Sequence, residues 1–314
     1  MAAPATSGTG VVVATPESVA YLAHCLGGHY RADNLLGPAV LLPAVRGHLL
    51  SLDQMRASAS APLLRQVLQV GAGYAEFAGW LSQDAGDASR ARSYYSLAHE
   101  WAEAAGDHRM ASFVLMRRSV QAVTQGDGAY AANLAKAAQR DRSPETARVR
   151  ALAAQTEALG HAAAGDPSEA ARALDAAETF TAEAEGLPAD GDPSDGRYCD
   201  LPLYLRISRA KVALNLGDAD QAIRAFNDVL VSLPVEYRRD RGQYLARIAQ
   251  ASVLAGLPEQ ACAHALESLG IARETGSTRT VDDIRTFATS LDQRWSALRE
   301  VGLLRDSLNL SPAS

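Results

Sequence analysis

Five glycines recur along this chain, each with small residues at the same positions around it. They lie 40, 39, 52 and 39 residues apart, at Gly86, Gly126, Gly165, Gly217 and Gly256. Five residues after each glycine stands an alanine: Ala91, Ala131, Ala170, Ala222 and Ala261. Seven residues before each stands a residue no larger than Ala or Ser: Gly79, Ser119, Ala158, Ala210 and Ala249. Such a period is typical of a solenoid, whose units bury their apolar faces only by stacking on one another.

The pattern fits a unit made of two helices and a tight turn. Glycine ends the first helix in the left-handed conformation that it adopts without steric cost. Aspartate, a good N-cap, follows the glycine in four units, at Asp87, Asp127, Asp166 and Asp218. Small residues at fixed offsets mark places where two helix backbones approach closely. We therefore predict an all-α fold, a solenoid of about five helical hairpins.

The composition supports packed helices and excludes several function classes. Hydrophobic residues make up 47% of the chain and aromatics only 6%, which argues against a β-sandwich. The net charge of −6 offers no positive field for nucleic acid, so we expect no direct nucleic-acid binding by this chain alone. The cysteines lie far apart without a CxxC pair, which favours buried thiols over a zinc site. No signal core or long apolar run is evident, so we expect a cytoplasmic protein without a membrane span.

The chain divides into three predicted parts. Residues 1–15 are expected to be disordered, residues 16–304 to form the helical repeat domain, and residues 305–314 to be a frayed tail. Within the domain, the loop 186–200 is rich in Gly, Pro and Asp and accounts for the long interval of 52 residues.

Extra helices are predicted at both ends of the array. An N-terminal pair precedes the first hairpin: one helix begins at Pro16 and stops at Gly27-Gly28, and the next runs from about Gly37-Pro38 to Arg56. A single amphipathic helix from Arg279 to Glu300 is predicted to cap the other end.

The small-residue offsets resemble those of tetratricopeptide (TPR) repeats, in a longer form of about 40 residues. The stretches HYRADNLLGP, LLPAVRGHLLSL and, most specifically, AGWLSQDAGD with RSYYSLAHEWAEAAGD (Ala78 to Asp107) resemble the C-terminal half of actinobacterial transcription regulators. Those proteins pair an XRE-type helix-turn-helix with a TPR-like sensing region, which residues 17–300 resemble in order. The resemblance implies a right-handed superhelix. Only about 15 residues precede the resemblance, so we do not expect DNA binding to carry over.

The TPR resemblance also implies which side chains face the concave groove of the superhelix. The groove residues that we single out are Glu76, Trp80, Gln83, Phe113, Met116, Gln155, Tyr204, Lys211, Asn215, Gln243 and Gln250. Val120, Leu152, Leu159 and Ile207 occupy inward positions as well. Carboxamides pair with the backbone of a peptide, and large apolar side chains form pockets for its side chains. The alternative is that these aromatics only pack between helices and that the amides face water.

No catalytic or metal-binding signature is found, and no cofactor is expected. The acidic stretch Asp190 to Gly196 resembles a calcium loop, but its glycine is displaced and Leu201 stands where a glutamate is needed. His99 and Glu103 lie one helical turn apart without a third ligand, which favours a surface pair. The basic cluster Arg238 to Arg241 is interpreted as exposed charge.

Three functions remain open on the sequence. The leading hypothesis is a non-enzymatic regulatory or adaptor protein that binds a peptide, a small ligand or a protein partner in its groove. The alternative is the ligand-sensing half of an XRE-type transcription regulator. An enzyme is the weakest hypothesis, because no acid–base pair or metal cluster can be named. We also expect self-association as a homodimer, because an imperfectly capped array buries its ends on a copy of itself.

Overall fold

The computed structural model describes residues 13–187 and 200–309, and within these ranges the secondary structure is helical, without a β-strand. The predicted calcium-like stretch and most of the 186–200 loop lie outside the described residues, as do residues 1–12 and 310–314. The helices are α1 (Pro16–Ser58), α2 (Ala61–Asp84), α3 (Ala88–Ala105), α4 (His108–Thr124), α5 (Gly128–Ala138), a 3₁₀ turn (Pro144–Thr146), α6 (Ala147–Ala163), α7 (Pro167–Glu185), α8 (Leu201–Asn215), α9 (Ala219–Ser232), α10 (Arg238–Leu254), α11 (Pro258–Thr275), α12 (Thr278–Trp295) and α13 (Arg299–Ser307).

The five predicted hairpins are confirmed as α2–α3, α4–α5, α6–α7, α8–α9 and α10–α11. All five turn glycines have left-handed φ angles, between 73° and 83°. The aspartate after the glycine caps the second helix in four hairpins, where its carboxylate accepts a hydrogen bond of 2.9–3.1 Å from the N–H three residues later. Each hairpin is therefore bounded by local chemistry that its own sequence specifies.

The small residues of the repeat lie where helices cross. The alanines five residues after each turn glycine are all 0% exposed, and so are Ser119, Ala158, Ala210 and Ala249, seven residues before it. A methyl group built on Gly79, the fifth member of that second set, would approach the Tyr95 ring to 2.6 Å. These positions admit no larger side chain without moving a helix, which confirms the interpretation of the repeat.

Helix α1 differs from the predicted helix pair. The predicted stop at Gly27-Gly28 is wrong, because the helix continues through both residues and breaks at Gly37. Gly37 has φ 67° and ψ 177°, and a Cβ there would lie 2.3 Å from the Thr275 carbonyl oxygen of α11. Glycine is needed at this position both for the left-handed φ and for the close contact with the far end of the stack.

The second half of α1, Leu35–Ser58, is long and apolar enough to cross a membrane by length and composition alone, with a mean hydropathy of 1.4. One helix of this kind is weak evidence, because the core helix of a folded domain passes the same test. Here Val45, Leu49 and Leu52 on one face are buried in the core, and α1 packs along α2. The composition fits a terminal helix of the stack with one buried face.

The C-terminal cap is built from two helices instead of the single helix predicted. α12 ends at Trp295 and α13 begins at Arg299. Val301, Leu304 and Leu308 are buried against the core that α11 and α12 form. The predicted end of the domain at residue 304 is therefore too early, because the apolar face of α13 extends past it.

The two ends of the stack meet, so that the helices form a closed ring. α1 contacts α10 and α11, and α2 contacts α12. The Arg239 guanidinium donates to both oxygens of Asp33, at 2.7 and 2.6 Å, and lies 3.4 Å from Asp84. Asp84 also pairs with Arg279 at 3.4 Å and accepts from the Ser277 hydroxyl at 3.1 Å. We call Asp33, Asp84, Arg239, Ser277 and Arg279 the seam.

Candidate functional site

A central cavity lies inside the ring, with a volume of about 190 Å³. Its walls come from the first helix of each hairpin, α2, α4, α6, α8 and α10, together with α1 and α12 from the two ends of the stack. The inner position of the first helices agrees with the TPR resemblance. The expected open groove, however, is closed by the seam, because α1 and α2 contact α10, α11 and α12.

Seven of the eleven predicted groove residues line this cavity: Trp80, Phe113, Met116, Gln155, Tyr204, Lys211 and Gln243. The inward apolar positions Val120, Leu152, Leu159 and Ile207 line it as well. The inward positions that the TPR resemblance implies thus include side chains from all five repeats that lie around one cavity. Their participation in binding stays a prediction.

The other four predicted residues lie elsewhere. Glu76 is fully buried behind the wall, where it accepts hydrogen bonds from the Tyr30 hydroxyl and from Arg117 Nε, both at 2.7 Å. Gln83 is buried and accepts from the Tyr95 hydroxyl at 3.2 Å, while Gln250 accepts from Arg247 at 3.0 Å. Asn215 is the last residue of α8 and is exposed. Gln83 and Asn215 lie within three residues of the turn, too near the end of the helix to reach the centre.

The charged lining of the cavity was missed by sequence reasoning. It consists of Asp33, Arg117, Arg239, Asp240 and Arg279. The interpretation of Arg238 to Arg241 as exposed charge is wrong for Arg239, which is 4% exposed, and for Asp240, which is half-buried. It holds for the two outer arginines, which pair with surface glutamates. Helical spacing could have placed two of these residues in the lining, because residues one turn apart share a helix face. Arg239 precedes the predicted groove residue Gln243 by one turn, and Arg117 follows the predicted groove residue Phe113 by one turn.

Trp80 connects the cavity wall to the seam. Its indole Nε1 donates to Asp33 at 2.9 Å. Three guanidinium groups lie over its ring: Arg117 at 4.7 Å, Arg279 at 5.1 Å and Arg239 at 5.5 Å from the ring centroid. Each distance is within the range of a cation–π interaction. Trp80 is therefore a natural fluorescent reporter of events in the cavity.

The lining differs between the two sides of the ring. α4 and α6 contribute mainly apolar side chains, such as Phe113, Met116 and Leu152. The helices at the seam contribute most of the charged ones. This combination of an apolar wall and a few polar groups is typical of sites that bind small amphipathic molecules.

Two ionisable groups in the cavity have shifted pKa values. Burial lowers the pKa of Lys211 to about 8, and the nearby Arg247 and Arg279 lower it further in the same direction. Burial raises the pKa of Asp240, although Arg239, Arg279 and Lys211 oppose that shift. Burial thus destabilises the charged forms of both groups.

Among the described residues, no group of three or more His, Cys, Asp or Glu side chains is placed to hold a metal ion. His99 and Glu103 lie 4.0 Å apart on α3, and neither lines the cavity.

These features define an all-α helical repeat protein of TPR-like hairpins whose stack closes around a central cavity. The chain is similar in structure to a tetratricopeptide repeat protein from Parabacteroides merdae, with 12% identity, 93% of this chain and 98% of that chain covered, and a TM-score of 0.41. A TM-score of this size marks a loose similarity, so the description of the fold depends on the repeat geometry above. No family model matches the chain, and no curated protein matches it. The resemblance to XRE-type regulators therefore stays a prediction.

Proposed function

We propose that this protein is a non-enzymatic regulatory module that binds a small molecule in the central cavity of its ring. The observation that carries the proposal is the cavity itself, where the inner helices of all five repeats bring apolar and polar side chains together. The resemblance to sensing regions of transcription regulators suggests that the regulated process is transcription.

The size of the cavity favours a small ligand over a peptide. A dry protein cavity of about 150 Å³ accommodates benzene, whereas drug-sized ligands occupy about 300–1,000 Å³. At about 190 Å³, this cavity fits a molecule with one ring or a short chain. An extended peptide needs a trough that is open at both ends, and the seam closes the trough. A protein partner would accordingly bind the outer surface of the ring.

The position of the cavity suggests how a ligand would act. Tyr30 of α1 and Arg279 of α12 belong to opposite ends of the stack, and both line the cavity. A ligand that contacts both ends binds the closed ring more tightly than an open ring. It therefore shifts the equilibrium between the two forms toward the closed one, and the size of the shift is set by the ratio of the two affinities. The outer surface that a partner binds would change with ring closure.

Filling the cavity is expected to abolish binding while the fold is kept. Val120 lines the cavity and is half-buried, so Val120→Trp places an indole in the space that a ligand would use. We expect that a compound from a metabolite panel raises the melting temperature of the parent but not of Val120→Trp. At a concentration of about 100 times its Kd, such a compound stabilises the parent by about 2.7 kcal/mol.

The matched control is Val231→Trp, since Val231 is 88% exposed. This variant should respond to the compound as the parent does. Differential scanning fluorimetry, followed by titration calorimetry, makes the comparison. A compound that stabilises Val120→Trp as much as the parent would move the site out of the cavity, and a complete lack of response to metabolite extracts would contradict the proposed function.

A further inference from the structure

We infer that the ligand of the central cavity is a small amphipathic carboxylate, whose negative head lies against Lys211 and Gln155 and whose apolar body lies against α4 and α6. The inference rests on the proposed function and specifies its ligand class. It follows from the polar groups of the cavity that lack a partner, taken with the charges around them.

The buried polar atoms without a partner favour an acceptor on the ligand. Among the described residues that line the cavity, Gln155 Nε2 and Arg239 Nε have no partner, and both are N–H donors. Arg279 Nε makes no hydrogen bond but lies 3.4 Å from Asp84. Gln155 is 2% exposed, and its Oε1 accepts from Ser208 at 3.2 Å. With the amide in this orientation, Nε2 is the end that has no partner. A buried donor without a partner costs free energy that a ligand oxygen would recover.

Lys211 adds a cation to this donor. No carboxylate of the described residues forms an ion pair with its ammonium, which lies 5.9 Å from the centroid of the Tyr244 ring. Ser208 and Lys211 are one helical turn apart on α8, so the amide that Ser208 holds lies on the same face of the helix as Lys211. Burial and the two nearby arginines lower the pKa of Lys211, and they outweigh Asp240 and Asp283, which raise it. A half-buried ammonium without a carboxylate in contact is destabilised, and a bound carboxylate would supply that contact.

The acidic groups of the cavity do not favour a cationic ligand. Asp33 accepts from Arg239, and Glu76 behind the wall accepts from Arg117, so both carboxylates already have guanidinium partners. Asp240 remains, and Arg239, Arg279 and Lys211 act on it as positive charges. A ligand cation would therefore compete with guanidinium or ammonium groups for each of these carboxylates. A ligand anion can approach Lys211, which forms no ion pair with a described carboxylate.

The apolar lining determines which apolar group the ligand carries beside its carboxylate. On α4, Phe113 offers an aromatic ring and Met116 a thioether, and on α6 Leu152 and Leu159 offer aliphatic side chains. With a volume of about 190 Å³, the cavity accommodates a short aliphatic chain or one aromatic ring with a short arm. Octanoate and 4-phenylbutyrate have this shape and charge, and octanamide, 4-phenylbutanamide and octylamine are their uncharged and cationic counterparts.

The experiment is titration calorimetry of the full chain with these five probes at pH 8, in two buffers of different ionisation enthalpy. We expect both carboxylates to bind at least 10-fold more tightly than their amides and the amine. Because Lys211 has a pKa of about 8, about half of its side chains are neutral at this pH. A bound carboxylate raises that pKa, so binding should take up about half a proton from the buffer.

Lys211→Met should lower carboxylate affinity at least 10-fold, leave amide affinity unchanged and abolish proton uptake. The control Lys136→Met removes an exposed lysine on α5, 3.7 Å from Glu157, and should change none of these. Circular dichroism shows whether each variant folds, and the proton uptake of the parent tests the inference without any variant.

Three results would overturn the inference: amides that bind as tightly as carboxylates, carboxylate binding without proton uptake, or no carboxylate binding at about 1 mM, where an interaction of 4 kcal/mol is still detected. In each case the proposed function would still stand if a neutral compound from the metabolite panel stabilised the parent but not Val120→Trp. The two proposals therefore fail by different observations.

Discussion

Arg239→Met is expected to lower the free energy of unfolding by about 3–5 kcal/mol and to open the ring, the largest effect that we predict for a single substitution. The Arg239 side chain is 4% exposed and is held between the carboxylates of Asp33 and Asp84. Removing the cation leaves two acidic groups buried next to each other at the seam. Their repulsion and desolvation then favour separation of the two ends of the stack.

The control is Arg238→Met, the neighbouring position on the outer side of α10. Arg238 is 58% exposed and pairs with Glu274 at the surface, an interaction worth at most about 1 kcal/mol. Urea denaturation measures the loss of stability, and small-angle X-ray scattering measures the radius of gyration of the native state. Equal stabilities for the two variants, together with an unchanged radius of gyration, would show that the seam does not hold the ring closed.

Gly160→Ala is expected to destabilise the protein by about 3 kcal/mol, although alanine is the better helix former. A Cβ on Gly160 of α6 would lie 2.6 Å from the backbone nitrogen of Ala132 and 2.9 Å from the carbonyl oxygen of Gly128, both in α5. Backbone atoms of a packed helix cannot rotate away as the tip of a side chain can. The methyl group must therefore push α5 and α6 apart, and with them the second and third hairpins.

Gly270→Ala is the matched control for that substitution. Gly270 also lies inside a helix, α11, but a Cβ there meets no atom within 4 Å. The same exchange should stabilise the protein at this position by about 0.5–1 kcal/mol, because only the gain in helix propensity remains. Thermal and urea denaturation of the two variants should thus give changes of opposite sign. A neutral or stabilising Gly160→Ala would mean that the crossing of α5 and α6 is looser than the structure shows.

The hairpins were predictable because the information that bounds them is local. A turn glycine such as Gly165 must reach a left-handed φ, here 78°, and Asp166 caps the following helix within three residues. Both requirements act over a few residues of sequence and recur in successive repeats. Ala170 and Ala158 were recognisable as crossing points for the same reason, since their distance from the glycine is constant from one unit to the next.

Helix α1 was harder to predict, because glycine has more than one role. Gly27, Gly28 and Gly37 were all predicted to lie at helix ends, yet only Gly37 breaks the helix. Gly37 combines a left-handed φ of 67° with a close contact to Thr275, more than 200 residues away in the chain. Nothing within α1 showed that the helix continues through Gly27-Gly28.

The sequence by itself determined the helical hairpins and their order, because helix caps and left-handed turns are properties of short segments. The TPR resemblance added most of the side chains that face inward. The tertiary structure decided that the stack closes and that the groove becomes a cavity with charged walls. Arg239 was interpreted as exposed charge, since its partners Asp33 and Asp84 belong to the opposite end of the array. Closure depends on small rotations between neighbouring hairpins that add up over five repeats, and no single repeat specifies their sum.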